Sequence, residues 1–181
     1  MNLLIASDIH GSAYAARNLV GYFYDLKCDG ILLLGDILYH GPRNALPGEY
    51  DCQETARILN SVADKIQCVR GNCDAEVDQM LLDFSLAEDN KQLTVNGRTI
   101  FASHGHHIGP GNPPPIGSCE ILTCGHTHIA GYTKIGDLLY CNPGSTSIPK
   151  GGTKAGFMTF SGNLLCWRDI DNGKTYNSLE L

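Results

Sequence analysis

No apolar run in this chain is longer than four residues, as in Leu3–Ala6 and Ile31–Leu34. A helix that crosses a bilayer needs about 20, so no membrane partner is expected. A basic leader is missing too. Met1-Asn2-Leu3 carries no charged stretch, and Asp8 cuts short any signal-peptide core, so a cytoplasmic protein is expected. Positive charge is scarce, with 13 Lys plus Arg against 19 Asp plus Glu and a formal net charge of −6. Binding to a phosphate backbone needs a basic face, which argues against a nucleic-acid partner. Cysteine is plentiful, at eight, but no C-x-x-C spacing occurs among Cys28, Cys52, Cys68, Cys73, Cys119, Cys124, Cys141 and Cys166. That removes the zinc-ribbon and thioredoxin readings. With no secretory signal, a disulfide framework also loses its support. Cys68, Cys124, Cys141 and Cys166 fall in or beside strand-like apolar runs and read as small buried hydrophobes.

A length of 181 residues is room for one domain, expected to be residues 1–181. A chain of that size buries about two-thirds of its unfolded surface and needs no metal merely to fold. The first part alternates strand and helix. Asn2–Ser7, Gly30–Leu34 and Ile66–Val69 read as short buried strands. Ser12 can cap a helix with Ala16, Leu19, Val20, Phe23 and Leu26 on one face, and Gln53–Asp64 reads as a second helix. A β-α-β-α-β order implies parallel strands with right-handed crossovers. The second half is hairpin-rich. Gln92–Val95 and Thr99–Ala102 flank Asn96-Gly97, Tyr132–Ile135 and Leu138–Cys141 flank Gly136-Asp137, and Phe157–Phe160 and Leu164–Arg168 flank Ser161-Gly162-Asn163. Glu120–Cys124 is a further short strand. Two proline-bearing loops, Gly35–Cys52 and His104–Ser118, are longer than connections need and read as shaped walls.

Metal-type ligands appear where the strands end. The expected strands run into Ser7-Asp8-Ile9-His10, Gly35-Asp36, Arg70-Gly71-Asn72-Cys73-Asp74, Ser103-His104-Gly105-His106 and Gly125-His126-Thr127-His128. In open α/β sheets, ligands bind outside the carboxyl ends of the strands. Each motif alone has a bland reading as a turn or a satisfied histidine. Their order and spacing carry the signal. Between His10 and Asp36 lie 25 residues, one helix-plus-strand unit, and between Asp36 and Asn72 lie 35, the next unit with its long loop. All seven histidines, His10, His40, His104, His106, His107, His126 and His128, fall within four positions of this set.

The series D-x-H, G-D, G-N-x-D, H-G-H and G-H-x-H resembles the calcineurin-like metallophosphoesterase family, over nearly the whole chain. Gly35–Asn44, Arg70–Asp74 and Asn142-Pro143-Gly144-Ser145 resemble its small bacterial YfcE-type phosphodiesterases. The resemblance implies an α/β fold, a four-layer α/β/β/α sandwich with a dinuclear metal site at the strand carboxyl ends. It implies two divalent metal ions, with Asp36 bridging, Asp8, His10 and His128 on the first ion, and Asn72, His104 and His126 on the second. Two ions about 3.5–4 Å apart need such a bridging anion. Mixed imidazole and carboxylate ligands suit manganese, the first choice, and also iron, zinc, cobalt or nickel. Asp74 and His106, with His107 beside it, are expected to orient ligands from behind. His40, Arg43 and Asn44, in the loop after Asp36, are the candidate substrate contacts. Lys150 reads as a surface residue.

Two carboxylates and two divalent ions sum to a local +2, a positive pocket in an acidic protein, suited to a phosphate ester. The expected reaction is hydrolysis of a small phosphoester, most simply a phosphodiester, by in-line attack of a metal-bridging hydroxide. A phosphomonoesterase or nucleotide pyrophosphatase would use the same site. A eukaryotic retromer subunit of this fold is a scaffold with an impaired metal site. Here every matched position holds a competent ligand, which favours an enzyme. Self-association into a homo-oligomer is compatible with the sequence. One departure stands out: many relatives carry histidine after Gly-Asn, thought to protonate the leaving oxygen, and this chain has Cys73.

Overall fold

The computed structural model describes residues 1–115 and 117–181. The first half is β1 (Asn2–Ala6), α1 (Ala13–Asp25), β2 (Gly30–Leu33), α2 (Cys52–Asn60) and β3 (Ile66–Cys68). Then follow β4 (Asn90–Val95), β5 (Arg98–Ser103), β6 (Ile121–Thr123), β7 (Gly131–Ile135), β8 (Leu138–Asn142), β9 (Gly156–Ser161), β10 (Leu164–Asp169) and β11 (Thr175–Glu180). A six-stranded sheet has the order β11-β10-β9-β1-β2-β3, and a five-stranded sheet the order β4-β5-β6-β8-β7. β1, β2 and β3 are mutually parallel, as are β5, β6 and β8. Parallel pairing aligns the carboxyl ends of β1, β2 and β3 on one edge, and those of β5 and β6 on one edge of the other sheet.

Alternation along each strand splits the core in two. Leu4, Ala6, Ile31 and Leu33 face α1 and α2. Leu3, Ile5, Leu32 and Leu34 face Ile100, Ala102, Ile121 and Cys141 of the other sheet. Trp167 is fully buried between the sheets, and its Nε1 donates to the Asn142 carbonyl at 2.7 Å. Burial of such large side chains contributes about 1.5–3 kcal/mol each. The four cysteines read as buried hydrophobes are all buried thiols.

Local chemistry sets the helices. Ser12 Oγ accepts from the Ala15 amide at 3.2 Å, so α1 starts where the cap was expected. Asp51 caps α2 through the Glu54 amide at 2.9 Å. α2 stops at Asn60, short of the expected Asp64. Ser61 Oγ donates to the Ile58 carbonyl at 2.6 Å, and Asn60 is tied to Leu81 and Asp83 instead of prolonging the helix. A short 3-10 turn, Ala63–Lys65, fills the remainder.

The expected α/β class with two stacked mixed sheets is present. Among the described residues both α-helices pack on the outer face of the six-stranded sheet. Part of the five-stranded sheet's outer face is covered by loop, where the Ile108 carbonyl accepts from Ser103 Oγ and Cys124 Sγ. Pro110 and Pro113–Pro115 lack the N–H groups that a helix there would require. β11 and the 3-10 turn Glu76–Met80 were not expected. β11 is an edge strand with a mostly exposed, polar pattern, held by its ladder to β10, so it has little apolar periodicity to read. Among the described residues no helix is long and apolar enough to cross a membrane.

Candidate metal centre

Each strand end delivers its ligand through backbone that leaves ordinary geometry. Among the described residues eight non-glycine residues have positive φ, and five of them are Asp8, His10, Asp36, His126 and His128, at 51–64°. Such conformations cost of order 1–3 kcal/mol each and cluster at functional sites. Tight approach explains the glycines of the motifs. A Cβ on Gly125 would lie 2.6 Å from Asp8 Oδ2 and collide with Ser7 Oγ, and one on Gly71 would strike the Asp36 carboxylate. Only glycine lets these loops pass so close to the two aspartates.

Three imidazoles are held in one tautomer. His10 Nδ1 lies 2.7 Å from the Tyr39 carbonyl, His104 Nδ1 2.6 Å from that of Leu34, and His128 Nδ1 2.7 Å from that of Ile148. A carbonyl only accepts, so each Nδ1 is the donor and each Nε2 is left to face the site. The Nε2 atoms of His10 and His128 are 3.3 Å apart. They lie 3.6 and 3.2 Å from Asp8 Oδ1, a buried oxygen with no hydrogen-bond partner. Lone pairs and a carboxylate oxygen that converge on one buried point need a cation between them, which a divalent ion fits. Asp8, His10 and His128 form one group able to hold a metal, and Asp8, Asp36 and His104 another.

Asp36 belongs to the second group and also approaches the first through His10, with which and Cys73 it forms a third such group. Its Oδ2 is 3.8 Å from His10 Nε2 and 3.4 Å from His104 Nε2, while Oδ1 accepts from the Cys73 amide at 2.8 Å. One oxygen therefore faces both sides, and the other anchors the carboxylate. His104 Nε2 is 3.0 Å from Asn72 Oδ1 and 3.3 Å from His126 Nδ1. Asn72 and His126 thus join the Asp36–His104 side, and His126 presents Nδ1 where the others present Nε2.

In the metal-free site, protons take over part of the cation's role. Burial opposes charge on Asp8, yet the imidazoles of His10 and His128 hold its carboxyl well below the ordinary range. Burial likewise opposes charge on His104, but Asp36 and Asp8 raise its pKa to about 9. Burial lowers the His126 pKa, and charged His104 adds to it. Burial, with Asp36 beside it, pushes the Cys73 thiol up to about 12. Cys73 is therefore a neutral thiol at neutral pH, half-buried with its Sγ 3.3 Å from Asn72 Nδ2.

Asp74 is buried and braces this centre through backbone. Its carboxylate accepts from the amides of Asp36 at 2.9 Å, Ile37 at 2.8 Å and Gly71 at 2.7 Å. The ring centroid of His106 is 5.4 Å from that of His104 and 4.0 Å from that of His107.

A cavity of about 770 Å³ opens over the centre, with Asp36, Asn72, Cys73, His126 and His128 in its lining. Arg43 and Asn44, the candidate substrate contacts, line it. Asn44 Nδ2, however, donates to the His40 carbonyl at 2.8 Å and so closes its own loop. His40 is not brought to the cavity: its ring packs edge-on against Tyr39 and Tyr50. Tyr39, Thr127 and Lys150, which the sequence reading did not place at the site, line the cavity too. For Lys150 the available signal was its place in a Pro-Lys-Gly-Gly turn after the last ligand motif.

The chain is similar to known proteins in sequence and in fold. Residues 1–163 match the calcineurin-like phosphoesterase superfamily domain. Phosphodiesterase YfcE of Escherichia coli strain K12 is 43% identical over 165 residues, 91% of this chain and 90% of that protein. Probable metallophosphoesterase YsnB of Bacillus subtilis strain 168 is 27% identical over 158 residues, 83% of this chain and 78% of the other. The structure of the E. coli phosphoesterase YfcE superposes with a TM-score of 0.95, at 39% identity and 99% coverage of both chains. Vps29 of Entamoeba histolytica, complexed with zinc, shares the fold at a TM-score of 0.66, with 18% identity and 99% coverage of both chains. The strand-end ligand motifs and the two stacked sheets thus have one common origin, and the chain belongs to the calcineurin-like phosphoesterase superfamily.

Proposed function

We propose that this protein is a metal-dependent phosphodiesterase, active as one domain in the cytoplasm, that hydrolyses small phosphate diesters with two divalent ions. The observation that carries the reading is the convergence of imidazole Nε2 atoms on buried carboxylate oxygens, with Asp36 Oδ2 facing both groups. Asp8, His10 and His128 would hold the first ion, and Asn72, His104 and His126 the second, with Asp36 shared. Two imidazole-carboxylate sites with open positions suit manganese. The ions, when bound, supply Lewis acidity toward the phosphate oxygens and acidify a water nucleophile. The chain's residues supply the rest. Backbone carbonyls fix the imidazoles, Asp74 holds the Asp36 loop, and the cavity admits the ester. A neutral Cys73 thiol is a poor nucleophile and a poor general acid. The leaving group must then depart with little protonation, which favours activated diesters over alkyl monoesters. The relative named a phosphodiesterase supports the same choice.

The test is hydrolysis of bis(p-nitrophenyl) phosphate beside p-nitrophenyl phosphate, with metal content measured on the same protein. About two ions per chain, loss of turnover with a chelator and recovery with manganese are expected. Undiminished turnover after exhaustive chelation would overturn the metal mechanism. Preference for the monoester would favour the phosphomonoesterase reading.

A further inference from the structure

Cations are few here, and most are engaged. Arg17, Arg57, Lys65, Lys91, Arg98 and Lys154 are ion-paired. Arg70 and Arg168 donate to backbone and threonine oxygens. Among the described residues the side chains of Lys27, Arg43, Lys134, Lys150 and Lys174 have no such partner, and of these five Arg43 and Lys150 line the cavity over the metal centre.

They come from two loops, each fastened to the centre. In one, Gly41 has a φ of 79°, and a Cβ there would sit 3.1 Å from Cys73 Sγ. The same loop is closed by the Asn44–His40 hydrogen bond, and the Tyr39 carbonyl accepts from His10 Nδ1. In the other, the Lys150 amide donates to the His128 carbonyl at 2.9 Å, and Thr153 Oγ1 donates to the Lys150 carbonyl at 2.8 Å. Depth separates the roles. Asp8, His10, Asp36 and His128 are buried, whereas Arg43 and Lys150 are exposed. The cations therefore stand at the mouth and most of the ligand set at the floor. The acidic residues of the lining, Asp36 and Asp74, are buried at the floor, Asp74 on backbone amides and Asp36 between the Cys73 amide and the facing imidazoles, so neither stands at the mouth with Arg43 and Lys150. The cavity volume falls within the range of about 300–1,000 Å³ typical for ligands much larger than a phosphate group.

We propose that Arg43 and Lys150 form a second anion-binding position, so that the favoured substrate is a phosphodiester bearing a further anionic group away from the scissile bond. This rests on the phosphodiesterase reading. Exposed charge pairs are worth about 0.2–1 kcal/mol each, so two of them should favour the doubly anionic ligand by about two- to thirtyfold.

Two substrates separate the position from the centre: the p-nitrophenyl ester of thymidine 5′-phosphate, and the same diester with a 3′-phosphate. They share the scissile bond and the leaving group. Wild-type enzyme should prefer the second through a lower KM, and added salt should erode that preference. Arg43→Gln with Lys150→Gln should lose more on the second substrate than on the first, while Arg43→Lys with Lys150→Arg restores the preference. Calorimetry on the manganese-loaded protein should give thymidine 3′,5′-bisphosphate the same advantage over thymidine 5′-monophosphate. Equal affinity for those two nucleotides, or equal losses on both substrates in the double variant, overturns the proposal. Failure to hydrolyse bis(p-nitrophenyl) phosphate would sink the phosphodiesterase reading separately, and the calorimetric comparison would still decide the mouth.

Discussion

Asp74 never reaches the cations it is expected to influence, which makes it a sharp test of how the centre is built. Its Oδ2 accepts from the Asp36 and Gly71 amides, and its Oδ1 from the Ile37 amide. Asp74→Asn keeps the shape but turns one oxygen into an N–H donor. With the amide oxygen in the Oδ2 position, two bonds survive in weaker neutral form, and the buried Ile37 N–H faces another donor. Hydrogen bonds to charged groups contribute about 1.5–3 kcal/mol and neutral ones about 0.5–1.5. The raw loss is therefore about 3.5–6 kcal/mol. Burial raises the Asp74 pKa, so the neutral amide escapes part of the cost that the carboxylate bears. That favours the lower end, about 3.5 kcal/mol. The loosened loop carries Asp36 at a φ of 56°, so metal affinity should fall with stability, by about 10–100-fold. Urea unfolding of the metal-free protein and calorimetric titration with manganese measure the two effects, and Asp74→Ala should be worse in both. An Asp74→Asn protein with the wild-type unfolding midpoint and wild-type manganese affinity would refute the reasoning.

Asp36→Asn should fold but weaken both ions together, by more than about 100-fold, since a neutral amide bridges poorly; loss of only one ion in a metal count would break the bridging assignment. Cys73→His places a group that titrates near 6.5 where a thiol is pushed to about 12. Turnover should rise more on an alkyl diester than on an aryl one, and a gain confined to the aryl ester would show that protonation is not what the position lacks. His104 has its pKa raised from 6.5 to about 9 without metal, so the stabilisation this gives the metal-free protein is complete below pH 6.5 and lost as pH rises through about 9. Metal needs the neutral ring, so manganese affinity should climb with pH over that window with proton release at neutral pH; an affinity independent of pH there would contradict it.

The sequence alone determined the order of the chemistry. Short apolar runs that end in Asp, His or Asn gave the parallel strands and the edge to which they deliver. Asn96-Gly97 and Gly136-Asp137 gave the hairpins, because turn residues act within a few positions. Ser12 gave the start of α1 for the same reason. Only the tertiary structure decided what depends on distant neighbours. α2 ends at Asn60 because that side chain binds Leu81 and Asp83, residues about twenty positions on. β11 exists because β10 offers it a ladder. At the centre, sequence named the histidines, but which nitrogen faces the site was decided by carbonyls of Tyr39, Leu34 and Ile148, 20 to 70 residues away. His40 stands four residues from Asp36 and turns to Tyr50, while Lys150, far along the chain, reaches the cavity through its amide bond to His128. Nearness in sequence fixes a loop's reach; the direction of a side chain in that loop is fixed by whatever packs against it.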